Sequence, residues 1–210
     1  MDAAKIQQKI YKGYGIAARH IGPSFNLYRP TTFINPFALG PIATVNASFN
    51  INGSYKGQSK ANQMFWQIIA DASGMLVGDY LIGERDTYCV LALDSLLPPI
   101  ALRCTQTLTF FRPTVNMAPG VQDYPDLEVG TTYAKGIPGV MGVKKETGRP
   151  MADLPGDNAL RTFYSAYFYL PDGTVMERDQ VTDENGDNYQ VVSAQSGLFG
   201  YEALLELVEA

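Results

Sequence analysis

Ala43, Val45, Ala47, Phe49 and Ile51 alternate with Thr44, Asn46, Ser48, Asn50 and Asn52. That period of two predicts a half-buried strand, ended by Gly53. Upstream, Ile6, Ile10, Tyr14 and Ala17 fall at i, i+4, i+8 and i+11. This stripe predicts an amphipathic helix over 2–20, with Lys5, Lys9 and Lys12 mostly off it and Gly13 and Gly15 weakening its middle. Ile21-Gly22-Pro23 stops it. Residues 23–42, rich in Pro, Asn and Phe, read as an extended arm, and 54–63 as a polar loop. Short apolar segments near 65–70, 75–82, 87–93 and 100–111 read as strands, separated by turns at Ser73-Gly74, Gly83-Glu84 and Pro98-Pro99. Residues 113–158, with Gly136, Gly139, Gly142 and Gly148, read as loop-rich. Strands return near 159–170, 174–181, 188–195 and 201–208, with hairpin signals at Asp172-Gly173 and Asn185-Gly186, the latter a type I′ pair.

A weak internal repeat organises these elements. Tyr28-Arg29-Pro30-Thr31 recurs as Phe111-Arg112-Pro113-Thr114, and Asp86-Thr87-Tyr88-Cys89-Val90 as Asp187-Asn188-Tyr189-Gln190-Val191. Between them, Ser73-Gly74 then Gly78-Asp79 resembles Asp172-Gly173 then Arg178-Asp179. The expected fold is mainly β: two tandem small β-barrel or sandwich units behind an N-terminal amphipathic helix and extended arm. The divisions are 1–27 for the helix and start of the arm, 28–110 for the first unit and 111–210 for the second. A Gly-rich insertion falls at about 134–158.

Composition places the chain among globular proteins, with 46% hydrophobic and 18% charged residues. The start lacks a secretory h-region, and no apolar run approaches the ~18 residues of a membrane span. A soluble protein made in the cytoplasm, with no membrane partner, is the expectation. The two cysteines, Cys89 and Cys104, give no disulfide framework and read as buried thiols. The net charge of −5 is polarised: residues 1–60 are about +6 and residues 151–210 about −9. Head-to-tail complementarity between copies and ordinary solvated faces both fit this asymmetry.

Catalytic motifs are scarce, and the chain is expected not to be an enzyme and to need no cofactor or metal. The single histidine, His20, suits the C-terminal dipole of the first helix. Asp183-Glu184-Asn185-Gly186-Asp187 opens like a calcium loop, but Asn188 and Ala194 stand where Gly and a bidentate Glu are required. Gly142-Val143-Lys144-Lys145-Glu146-Thr147-Gly148 lacks the ending of a phosphate loop. Acids such as Asp172, Glu177 and Asp179, the only basis for a hydrolase, lie mostly on turns. Lys135, Lys144, Lys145 and Arg149 on a loop are candidates for sequence-independent DNA contacts in a channel. Phe163, Tyr164, Tyr167, Phe168 and Tyr169 suit a core, a subunit interface or a carbohydrate platform.

The opening Ala4-Lys5-Ile6-Gln7-Gln8-Lys9-Ile10-Tyr11, Leu27-Tyr28-Arg29-Pro30-Thr31, Gly78-Asp79-Tyr80-Leu81 through Leu96-Leu97-Pro98-Pro99, and Arg103-Cys104 resemble structural proteins of tailed bacteriophages, over roughly residues 4–112. The second unit, with Gly186-Asp187-Asn188-Tyr189-Gln190-Val191, resembles head-closure or tail-completion proteins. Those are small β-barrels with a Gly-x-x-Tyr-x-Val strand; this chain departs from them in having two units and a helix. The resemblance implies a virion protein of the neck or tail that forms ring-like homo-oligomers against portal or tail neighbours and has no catalytic residues. Ile6, Ile10, Tyr14, Arg29 and Arg112 are the expected assembly contacts. The alternative is a fibre-attachment or carbohydrate-binding module of the virion.

Overall fold

A computed structural model describes residues 3–51, 64–115, 125–143 and 162–208. Among these residues one helix, α1 (Ala3–Ile21), precedes thirteen strands. The first seven are β1 (Ser24–Tyr28), β2 (Ala43–Asn46), β3 (Ser48–Ile51), β4 (Phe65–Ile69), β5 (Tyr80–Ile82), β6 (Thr87–Ala92) and β7 (Ile100–Cys104). The rest are β8 (Gln106–Val115), β9 (Pro125–Val143), β10 (Phe163–Phe168), β11 (Gln180–Thr182), β12 (Asn188–Gly197) and β13 (Gly200–Leu207). The mainly β expectation and the two tandem units hold.

The second unit is a closed antiparallel barrel in the order β10-β13-β12-β11-β8-β9. The first is a seven-stranded sheet in the order β2-β1-β5-β6-β7-β4-β3, curled so that its edge strands β2 and β3 are consecutive, with only Ala47 between them. Taken as one strand bent at Ala47, β2–β3 fills the place of β9, and the two units then share both chain order and neighbour order. Register agrees in the other ladders, while β8–β9 adds bulges between Leu108 and Phe111 that β1–β2 lacks. Leu27↔Leu81 matches Phe110↔Val181, Trp66↔Ala101 matches Tyr164↔Leu205, and Phe49↔Ile68 matches Met141↔Ala166. Even the bulge recurs, after Val90 in one unit and after Val191 in the other. A bulge bends a strand and raises its twist, which a small barrel requires at its corners.

The first unit is thus a curled half-barrel and the second a closed barrel, and each encloses its own core, built from alternate inward positions. The first holds Phe25, Leu27, Ile68, Leu81, Tyr88 and Val90, and the second Leu108, Phe110, Ala166, Val181, Tyr189 and Val191. α1 packs on the first barrel. Its buried side is Tyr11, Gly15 and Ala18, with Tyr14 half-buried. Ile6 and Ile10 are half-buried and Ala17 is exposed, so the buried stripe is rotated from the expected one. Gly15 explains the rotation: a Cβ there would lie 2.7 Å from the Asp71 Cβ, so the helix approaches the barrel where its side chains are smallest.

Other local expectations change. Residues 100–111 are not one strand; Thr105 separates β7 in the first sheet from β8 in the second, so β8 crosses the 110/111 division. Much of the expected loop at 113–158 is β9, the longest strand. Of the glycines there, Gly139 serves close strand approach, whereas a Cβ at Gly136 or Gly142 would meet nothing within 4 Å. Gly139 pairs with Gln106 on one side and Phe168 on the other, and a Cβ there would sit 2.9 Å from the Tyr167 carbonyl oxygen. Asp172-Gly173 lies in the crossover from β10 to β11, which are not neighbours, so it is a turn but not a hairpin. At Asn185-Gly186 only the glycine has positive φ, +90°. The Gly186 N–H donates to the Asp183 carbonyl and the Asp183 N–H to the Asp187 carbonyl. This is a type I turn followed by a left-handed glycine rather than type I′, which needs positive φ at both central residues.

Candidate functional site

The two barrels meet along a seam. The outward side of β5, β6 and β7 presents Tyr80, Cys89, Leu91, Leu102 and Cys104, which pack with Val140 of β9, Tyr167 of β10 and Tyr169 just beyond it. Phe65 meets the Tyr167 ring edge-on at 5.9 Å. Tyr169 lies over Gly78, where a Cβ would come within 2.4 Å of its Cε1. The arm between β1 and β2 crosses the seam. Phe37 packs into it, Phe33 packs against the second barrel's core, and the Lys135 N–H donates to the Phe33 carbonyl at 2.7 Å. The extended arm therefore docks on the chain's own second unit.

Burial dominates the electrostatics of the seam. It pushes the Cys89 thiol well up and the Cys104 thiol up to about 12, and it raises Tyr80, whose hydroxyl faces Cys89 without an aligned bond. Both cysteines are free and buried. Neutral thiols in an apolar setting are inert, since the thiolate is the nucleophile and the metal ligand. Tyr167, desolvated and donating to Glu202 at 2.7 Å, is pushed up to about 12. Among the described residues no three His, Cys, Asp or Glu side chains gather as a metal site would require. The Asp183 carboxylate is spent on its turn, accepting from the N–H groups of Asn185 and Asp187.

Arg29 and Arg112, expected as assembly contacts, face their own barrels. Arg29 donates from Nε and Nη2 to the two carboxylate oxygens of Asp79, and from Nη2 to the Gly74 carbonyl. Arg112 repeats this set on Asp179 and the Thr174 carbonyl. The Leu76 and Met176 N–H groups donate to the same carboxylates at 2.8 Å. The second unit adds a Tyr133 hydroxyl on Asp179 and places the Arg112 guanidinium 4.9 Å from the Tyr133 ring centre. The aspartate partners are what sequence reasoning missed, although Gly78-Asp79 and Arg178-Asp179 had marked their places in the repeat.

The remaining expected residues do not gather in one place. Ile6, Ile10 and Tyr14 are half-buried on α1. Lys135 is exposed on β9, while Lys144, Lys145 and Arg149 lie outside the described residues. The aromatic cluster divides by strand alternation: Tyr164 and Phe168 join the second core, Tyr167 and Tyr169 the seam, and Phe163 faces outward. No helix among the described residues is long and apolar enough to cross a membrane. No protein-family model matches the chain, and neither a curated protein nor a solved structure matches it.

Proposed function

We propose that this chain is a structural component of a tailed-bacteriophage particle, in the head-to-tail connection or tail, where it forms a ring-like homo-oligomer against neighbours such as the portal or tail proteins. The observation that carries the reading is the build of the molecule. A curled half-barrel and a closed barrel of one wiring are held together by an apolar seam, a crossing arm and a one-residue junction. A block of this kind suits repeated placement about an axis, where the same surfaces must meet at every step. The likeness of residues 4–112 to phage structural proteins supplies the particle, and exposed Lys135 is available for phosphate contact in a channel. The carbohydrate-binding alternative rests on the aromatic cluster, and four of its five rings are taken up by the second core and the seam.

Mass photometry of the full-length chain, alone and mixed with candidate portal and tail proteins, tests the reading. A defined ring, or stable incorporation beside those neighbours, is expected. A chain that stays monomeric in both settings overturns it.

A further inference from the structure

We propose that copies of this chain join head to tail by repeating between molecules the contact that joins the two barrels within one. The inference rests on the homo-oligomer reading above and names the contact. The seam is heterologous: the β5-β6-β7 face of one barrel meets the β9-β10 face of a second barrel of the same wiring. Each chain therefore keeps one unused copy of each face. The second barrel retains the outward side of β11-β12-β13, and the first retains the outward side of β3 and of β4 beyond Phe65, which already lies in the seam, with α1 alongside at Asp71. Placing the second on the first of a neighbouring copy reproduces the seam and leaves the same two faces free again. Such an interface builds rings when its rotation closes and filaments when it does not.

The shared register says which residues would meet. Gly78 corresponds to Arg178, and both have left-handed φ, +89° and +70°. Tyr169 follows Phe168, which corresponds to Ala70, and so corresponds to Asp71. The contact of Tyr169 over Gly78 inside the chain thus becomes Asp71 of one copy over Arg178 of the next. These are opposite charges, and both are exposed. The Phe65–Tyr167 contact becomes Phe163 against Ile69, an apolar pair, both half-buried. Tyr80, Cys89 and Leu102 become Gln180, Gln190 and Glu206, and Val140 becomes Ser48. The permanent seam is apolar and the proposed one polar, as suits surfaces that are solvated before assembly.

Arg178 itself supports the assignment. A left-handed backbone disfavours any residue with a Cβ, and strain of this kind persists where a side chain is needed for something else. Glu177 precedes Arg178, and Arg19 of α1 lines the same cleft as Asp71, so each side carries both signs in a reciprocal order. Complementary charge steers encounter and fixes register.

The test is sedimentation velocity on the full chain at low salt and at about 1 M salt, where the Debye length falls to about 3 Å. It compares wild type, Arg178→Asp, Asp71→Arg, and the double variant carrying both. Both side chains are exposed, but the Asp71 Cβ faces Gly15 of α1 and its Oδ1 accepts from the Ser73 N–H, so a thermal melt of each variant confirms the fold. Association at low salt, weakened by at least about tenfold in each single variant and restored in the double variant, is expected. Wild-type association left unchanged in both single variants, or not restored in the double, overturns this contact while leaving the homo-oligomer reading in place. A wild type that is monomeric under every condition overturns both.

Discussion

Arg29 grips the carboxylate of Asp79 with two near-parallel bonds, 2.8 Å from Nε to Oδ1 and 2.7 Å from Nη2 to Oδ2. Asp79 is 1% exposed, and the Arg29 side chain as a whole is 36% exposed. The pair ties the end of β1 to the turn that leads into β5. Arg112 and Asp179 do the same between β8 and β11. Removing the arginine strands a buried charge whose remaining partner is a single backbone N–H in the first unit. Arg29→Met is expected to cost about 2–3 kcal/mol, below the roughly 3–5 kcal/mol of a fully buried pair because the arginine is part-exposed. Arg112→Met is expected to cost less, since the Tyr133 hydroxyl still donates to Asp179. Urea unfolding of the two variants and of Arg112→Met/Tyr133→Phe checks the order; equal losses in the first two would refute it.

Gly78 and Arg178 share a backbone conformation but not an environment. Gly78→Ala is expected to cost about 2 kcal/mol or more, because it adds left-handed strain to a collision with the Tyr169 ring. Arg178→Gly is expected to stabilise the folded chain by up to about 1 kcal/mol by relieving strain at an exposed site. For a chain of this length that is a rise of roughly 2–4 °C in Tm. Calorimetry that moves both variants the same way would contradict the account.

The buried side of α1 can be located by two substitutions. Tyr11 is 9% exposed and packs against the first core, whereas Ile16 is 50% exposed. Tyr11→Ala is expected to cost about 3 kcal/mol, and Ile16→Ala less than about 0.5 kcal/mol. Hydrogen exchange at β4 should accelerate in the first variant alone; equal exchange in both would detach the helix from the core.

Alkaline pH should weaken the fold through the seam thiols. Burial raises both, Cys104 to about 12, so the folded state keeps protons that the unfolded chain releases. That contribution is fully present below the unfolded thiol value of about 8.5. It is lost as pH rises through the folded value, at up to about 1.4 kcal/mol per pH unit for each thiol. Between about pH 8 and 9, below the ordinary tyrosine value of about 10, the slope belongs largely to the thiols; above that the tyrosines that burial also raises, Tyr80 and Tyr167 among them, add to it. Cys89→Ala/Cys104→Ala should flatten it, as followed by urea midpoints across that window. An undiminished slope would place the lability elsewhere.

The alternating strands were legible because their burial is local: Val45, Phe49, Tyr88, Val90, Tyr189 and Val191 each announce an inward face by spacing alone. β9 was not, since Gly139 is required by Tyr167 and Leu108, which lie far away in sequence or on another strand. The face of α1 was misjudged because large residues mark a stripe while small ones permit contact; Gly15 and Ala18 carry the close approach. Arg29 and Arg112 stood out as a repeated Arg-Pro, but their partners lie 50 and 67 residues on, a separation no periodicity reveals. The duplicated marks were the available signal. An arginine and an aspartate recurring in the same order in both halves are candidates for one bond made twice.

Thr105 is the whole of the covalent connection between the sheets, and its N–H already donates to the Gly139 carbonyl at 2.9 Å. A joint with no slack passes torque rather than absorbing it. Pulling or twisting one barrel loads the hydrogen-bond ladder of the other directly, without a hinge in which the strain could dissipate. The chain should therefore yield as one mechanical element, with a single rupture under load and a single calorimetric peak on heating.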